Sequence, residues 1–156
     1  MKKISLILFM AGILIFVSCG KKEEEPTVQE PVEFQEPDHL TVQHILISFQ
    51  GAPRMDGVTR TQEQAQELAK EILKRAQGGE DFDALVKEYT DDQHPGIYKM
   101  SNIDVKPDSE GGESSRTRMV TAFGDVSFSL RVGEIGMTEF SPEASQYGWH
   151  IIKRLE

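Results

Sequence analysis

The chain has 156 residues, a formal net charge of −9 and a single cysteine. That length predicts one folded domain, and one cysteine allows no disulfide within the chain. The acidic balance leaves no basic face for phosphate binding, which argues against nucleic acid as a partner.

Met1 to Ser18 reads as a targeting segment. Lys2-Lys3 precede an uninterrupted apolar or small run from Ile4 to Val17, shorter than the roughly 20 residues that span a bilayer. Cys19 follows at once. Phe16-Val17-Ser18-Cys19 resembles the lipobox of bacterial lipoproteins, with Phe16 where leucine is usual. The resemblance implies a signal peptide over 1–18, lipidation of Cys19, and an exported protein anchored to a bacterial cell membrane on its periplasmic side. Gly20, in place of an aspartate, points toward the outer membrane. An ordinary secretory signal, or an uncleaved anchor with an incidental cysteine, is the alternative. Acylation would remove a thiol that is a liability in an oxidising compartment, and several acyl chains, at about 0.8 kcal/mol per buried methylene, would anchor a domain stably. Residues 19–38, with Glu23-Glu24-Glu25, Pro26, Pro31 and Pro37, predict an extended tether with too little apolar surface to fold.

The folded domain is expected over 39–156. Leu40 to Phe49 alternates as a central strand, with Leu40, Val42, His44 and Leu46 on one face and Ile45, Ile47 and Phe49 on the other. A loop over 50–60 leads to Thr61-Gln62-Glu63-Gln64, which has capping-box spacing. The stripe Ala65, Leu68, Ala69, Ile72, Leu73, Ala76 predicts a helix ending at Gly78-Gly79. A shorter helix, with Asp81 as its cap, buries Phe82, Leu85, Val86 and Tyr89. Gly96 to Met100 reads as a short strand, Val105 to Ser115 as a mobile loop, and Arg118 to Leu130 as a helical region broken or bent near Gly124. Gly133 and Gly136 bracket a tight turn, after which Met137–Phe140 and Tyr147–Leu155 pair as a terminal hairpin. The order strand, helices, strand, helix, strand, strand gives an α+β fold, a four-stranded antiparallel sheet flanked by helices. No internal repeat is present.

Five pieces, in order, resemble the parvulin family of peptidyl-prolyl cis/trans isomerases. They are His44-Ile45-Leu46-Ile47 in the opening strand, Arg60-Thr61 with Glu63, Ala65 and Leu68 at the first helix, and Gly79-Glu80-Asp81-Phe82 at the second. Phe123 to Leu130 with Val132-Gly133-Glu134-Ile135-Gly136 resembles the third helix and turn, and Gly148-Trp149-His150-Ile151-Ile152 the closing strand. The resemblance implies an isomerase of X-Pro bonds in unfolded or partly folded exported polypeptides, needing no cofactor. It places His44 and His150 as paired imidazoles, with Asp92 beside them, and Met119 and Phe123, with Ile97 and Met100, in the proline-holding pocket. Ser145 and Tyr147 fall where related sequences put hydroxyl residues near substrate.

Each assignment has a plainer counterpart. The histidines can be core residues satisfied by neighbours, the apolar residues can be core alone, and Tyr147 can be a turn residue packing on Trp149. His44, Asp92, His94 and His150 could supply ligands, but no two of these histidines share close metal-ligand spacing and no cysteines are available for a structural zinc, so no metal site is expected. No Gly-x-Ser-x-Gly elbow is present, which argues against hydrolysis. Most parvulins continue from the Asp92 position into Gly-Asp-Leu-Gly, whereas this chain reads His94-Pro95-Gly96-Ile97-Tyr98, which leaves the preference for the residue before proline open. The loop after the first strand offers Ser48, Gln50 and Arg54, with Arg60 at its far end, which argues against phosphoserine selectivity. Two rivals to the enzyme are a membrane-anchored, chaperone-like peptide-binding module with little isomerase activity and a purely structural envelope lipoprotein. The sequence leaves the oligomeric state open.

Overall fold

The computed structural model describes residues 34–156. The expected signal peptide, Cys19 and the tether up to residue 33 lie outside the described residues. Strand β1 (His39–Ile47) is buried on both faces from Val42 onward, so it takes the middle of the sheet. It pairs antiparallel with β2 (Ile97–Ser101) on one side and β5 (Trp149–Arg154) on the other. Outside them lie β3 (Ser114–Ser115), parallel to β2, and β4 (Ile135–Met137), antiparallel to β5. The sheet thus has five strands in the order β3-β2-β1-β5-β4, one more than expected, with one parallel pair. Two polar residues carry no apolar alternation, so nothing local announces β3.

Helices cover the two faces of the sheet. On one, α1 (Gln62–Gln77) and α2 (Phe82–Tyr89) bury Ala65, Ala69, Ile72, Leu85 and Val86 against Ile45, Ile47, Trp149 and Ile151. On the other, α3 (Thr121–Ser129) packs Phe123 and Phe128 against Leu40, Val42, Met100 and Ile152. The caps act as their residue types dictate. Thr61 N–H donates to Gln64 Oε1 at 2.8 Å while Gln64 N–H donates back to Thr61 Oγ1 at 3.2 Å, and the Asp81 carboxylate accepts from Ala84 N–H at 2.7 Å, each satisfying first-turn donors.

The structure differs in detail from the expected elements. Helix α3 runs through Gly124 without a break; the interruption lies before it, where a 3-10 turn (Arg116–Arg118) ends on an extended Met119. Strand β4 starts two residues earlier than expected, because Gly136 fits closely under Val126 and Leu130. Much of the excursion expected to be mobile closes on itself: Asp108 Oδ1 accepts from Glu110 N–H and Gly111 N–H, and Glu113 Oε2 from Asp108 N–H. The compact unit runs from Phe34 to Glu156; Arg131 sits over the Phe34 ring, and Asn102 N–H donates to Asp38 O at 2.8 Å.

Two glycines set close backbone approaches. A Cβ at Gly148, with φ of +136°, would lie 2.2 Å from Ile47 O, and one at Gly96, with φ of +64°, would lie 2.6 Å from His44 O. Neither space admits a side chain. Both contacts fall beside strands that carry a histidine.

Candidate active site

The pleat decides which side chains meet. In β1 and β5, His44 is opposite Ile152 and Leu46 opposite His150, so both imidazoles project from one face, on diagonal positions close enough for contact. His44 Nδ1 and His150 Nδ1 are 3.2 Å apart. Asp92 comes in from the end of α2, where Thr90 Oγ1 accepts from both Leu46 N–H and Asp92 N–H at 3.2 Å. Its Oδ2 lies 3.2 Å from His44 Nε2 and accepts from the Tyr98 hydroxyl at 3.0 Å.

Electrostatics fixes the order of protons along this chain. The hydrogen bond from His44, helped by Gln93 N–H and the Tyr98 hydroxyl, holds Asp92 down at about 2 against its partial burial, so it is ionised and accepts only. Burial, and the charge of Asp92, push Tyr98 up to about 12. Burial, with His44 adjacent, pushes His150 down to about 3, so it is neutral. His44 Nε2–H therefore donates to the ionised Asp92, and the two Nδ1 atoms share one proton between them. His150 Nε2, with Arg116 Nε, makes up the buried side-chain polar atoms without a partner among the described residues.

Above the histidines opens a cavity of about 260 Å³. Phe123, at the start of α3 and 4% exposed, forms its back: the ring meets His44, Tyr98 and His150 with centroids 5.2, 5.6 and 5.4 Å away. Met119 and Val120 form one apolar wall and Leu46 part of the floor; Arg54, at φ of +59°, and Met55 reach the opposite rim from the loop after β1. That loop is closed at its neck by Arg60, which donates to Asp91 Oδ2 and to Ser48 O, while Gln50 N–H donates to Arg60 O at 2.9 Å.

Six of the nine expected site residues border this cavity: His44, Asp92, His150, Met119, Phe123 and Tyr147. Three do not. Ile97 is opposite Gln43, so alternation turns it away from the His44 face, and it is 48% exposed. Met100 is on the His44 face but fully buried beside Leu40 and Phe128. Ser145 is fully buried too; its hydroxyl donates to Gly148 O at 2.7 Å and shapes the turn before β5. Tyr98, opposite Val42, takes the place assigned to Ile97. Alternation in the sequence puts Tyr98 and Met100 on one face and Ile97 on the other, but only the pairing with β1 shows that the Tyr98 face is the one that carries His44. Arg54 and Met55 carried no such signal, because a loop has no period.

The arrangement offers a hydrophobic recess over a buried imidazole pair backed by an anion. A family model described as PPIC-type PPIASE domain matches residues 31–156. Chaperone SurA of Chromohalobacter salexigens is 35% identical over 115 residues, covering 72% of this chain and 21% of that protein. Foldase protein PrsA of Caldanaerobacter subterraneus subsp. tengcongensis is 37% identical over 91 residues, covering 56% of this chain and 24% of that protein. The chain thus spans about a quarter or less of the length of these relatives. Among solved structures, peptidyl-prolyl isomerase ESS1 from Candida albicans superposes with a TM-score of 0.55 at 21% identity, over 76% of this chain and 63% of that one. TbPIN1 does so with 0.56 at 23%, over 76% and 98%. The likeness to these two is one of fold. With the family model covering the whole sheet and every helix among the described residues, the chain belongs to the PPIC-type peptidyl-prolyl isomerase family, the parvulins.

Proposed function

We propose that this chain catalyses cis/trans rotation about X-Pro bonds in exported, incompletely folded polypeptides. The observation that carries the reading is the convergence of His44, His150 and Asp92 beneath an apolar recess walled by Met119 and Phe123, in a chain of this family. The uncatalysed bond is held planar by resonance behind a barrier of roughly 18–20 kcal/mol. Rotation removes that resonance and its charge separation, so the twisted amide is less polar than the planar one and loses less on leaving water. The proline ring is seated between Met119 and Phe123. The histidines and Asp92 fix the polarity of the floor beneath the rotating carbonyl. No bond to the protein is made, and stabilisation of the twisted state alone lowers the barrier. A cofactor has no part in this scheme.

A chromogenic proline-peptide assay on the full chain tests this. Catalysis above background, reduced by Met119→Ala, is expected; a folded chain with no rate above background removes the enzyme reading. The names of the relatives, chaperone and foldase, suit polypeptide clients. A binding module with little isomerase activity is the less favoured reading; suppression of client aggregation undiminished in Met119→Ala would support it.

The lipidated Cys19, the signal peptide over 1–18 and the tether belong to the same proposal. They rest on Lys2-Lys3, the run from Ile4 to Val17 and the lipobox-like Phe16-Val17-Ser18-Cys19, and they put the domain outside the cytoplasm on a bacterial membrane. Labelled palmitate should enter the protein and be absent from Cys19→Ala; equal labelling of both would exclude this anchor.

A further inference from the structure

The wall of the cavity that carries Met119 and Phe123 is tied from outside α3, where Ala122 N–H in the first turn donates to Ala144 O at 2.9 Å. Val120, the N-cap of α3, makes no side-chain capping bond, although a helix start has free backbone donors to satisfy. What spans the segment is Arg116, a side chain outside the cavity. Its side chain is only 11% exposed, and the guanidinium reaches three separate parts of the fold. Nη1 donates to Glu36 Oε2 at 2.6 Å and to Asn102 Oδ1 at 2.9 Å, and Nη2 donates to Asp125 Oδ1 at 2.8 Å. The cation lies 4.8 Å from the centre of the Phe128 ring, which packs in the same cluster as Phe123 and Met119. The aliphatic stem crosses α3 at Gly124, where an added Cβ would come within 2.9 Å of Arg116 Cγ. Arg116 O accepts from Met119 N–H at 3.0 Å.

One residue thus joins the turn that bears Met119 to the helix that bears Phe123, and joins both to Glu36, where the chain enters the domain. We infer that Arg116 is a positioning residue for the Met119–Phe123 wall, and that Glu36 couples the entering chain to that wall. A planar fork suits the task because it meets Glu36, Asn102 and Asp125 in fixed directions, which a lysine ammonium cannot do at once. Exposed ion pairs alone contribute little; here the partners converge on one largely buried side chain, and its removal takes away every one of these side-chain bonds from the Met119 turn to α3 and to Glu36 at once. The inference rests on the isomerase reading for its consequence, but its geometric content can be read without activity.

The test uses Arg116→Met, which keeps the stem over Gly124 and Phe128, with Arg116→Lys and Glu36→Gln, all in the full chain. Hydrogen exchange is the first readout. In Arg116→Met the Met119 and Gly124 amides should exchange about tenfold or more faster, while the His44 and Ile152 amides stay unchanged, as expected for a local opening and not a global one. Titration with a proline peptide is the second: affinity should fall about fivefold or more, chiefly through KM where turnover is measured. Arg116→Lys should sit between the parent and Arg116→Met. Glu36→Gln should weaken binding less and add nothing when combined with Arg116→Met. Uniformly faster exchange across the sheet would make Arg116 a stability residue only, and unchanged exchange at Met119 would remove the brace; either overturns the inference. Local exchange changes in a chain that neither binds nor turns over proline peptides would instead place the failure in the isomerase reading.

Discussion

Phe123→Ala is expected to lower kcat/KM for a proline peptide by about 100-fold, equivalent to roughly 2.7 kcal/mol of lost transition-state stabilisation. The ring is in contact with His44, Tyr98 and His150 together, and it backs the cavity beside Met119. Its removal opens the recess to water and frees the imidazoles to shift. The same substitution should cost about 3 kcal/mol or more of folding stability, as buried phenylalanine truncations do. That is a large part of a typical margin of about 5 to 15 kcal/mol, so activity must be measured at temperatures where the variant is folded. Phe123→Leu separates the two effects, since it retains most of the packing volume and loses the aromatic contacts. It should recover most of the stability and much less of the activity. Activity that tracks the folded fraction in both variants would reduce Phe123 to a core residue.

Acid should unfold the domain in two stages that the site itself explains. His150 binds its proton at about 3 when folded and at its ordinary 6.5 when unfolded. Below pH 6.5 the unfolded chain therefore takes up a proton that the folded chain refuses, and stability falls as pH drops from 6.5 toward 3. Asp92 adds a second decline, from its ordinary 3.8 down to about 2, as its bond with His44 is lost to protonation. At full slope one proton changes stability by about 1.4 kcal/mol per pH unit, so roughly 2 to 3 kcal/mol should disappear between pH 6.5 and 4.5 on account of His150. His150→Asn keeps a donor toward His44 Nδ1 and cannot titrate. Urea unfolding at a series of pH values should give a visibly flatter profile for that variant over this window. Parallel profiles would mean that His150 is not the neutral, buried partner of His44.

The sequence was legible wherever a period or a cap governs the chain. Two apolar faces put Leu40–Ile47 in the centre of the sheet, the Thr61–Gln64 spacing started α1 where it starts, and matched placement of His44 and His150 in two strands brought them together. What escaped depended on register or on long-range contact. Ile97 and Tyr98 are neighbours in the chain and opposites in the sheet, and only pairing with β1 tells which faces His44. Met119 and Phe123 are four residues apart, yet they meet at the cavity with Met119 in extended backbone rather than as successive turns of one helix. Met100 and Ser145 are of the right residue types for a site and fully buried behind it. Arg54 and Met55 reach the rim from an aperiodic loop, and the bonds of Arg116 join positions 80 residues apart. Such pairings are properties of the fold, not of any window of sequence.

The central claim is that the recess above His44 and His150 seats a proline and lets its amide twist. NMR exchange spectroscopy on an Ala-Pro peptide mixed with a small fraction of the full chain measures this directly. Uncatalysed cis and trans forms interconvert over tens to hundreds of seconds and give no exchange peaks on a sub-second mixing time. With the protein present, cis–trans exchange peaks are expected, together with peptide-induced shifts at Met119, Phe123 and Tyr98. Absent exchange peaks from a folded chain, or shifts confined to surfaces away from these residues, would contradict it.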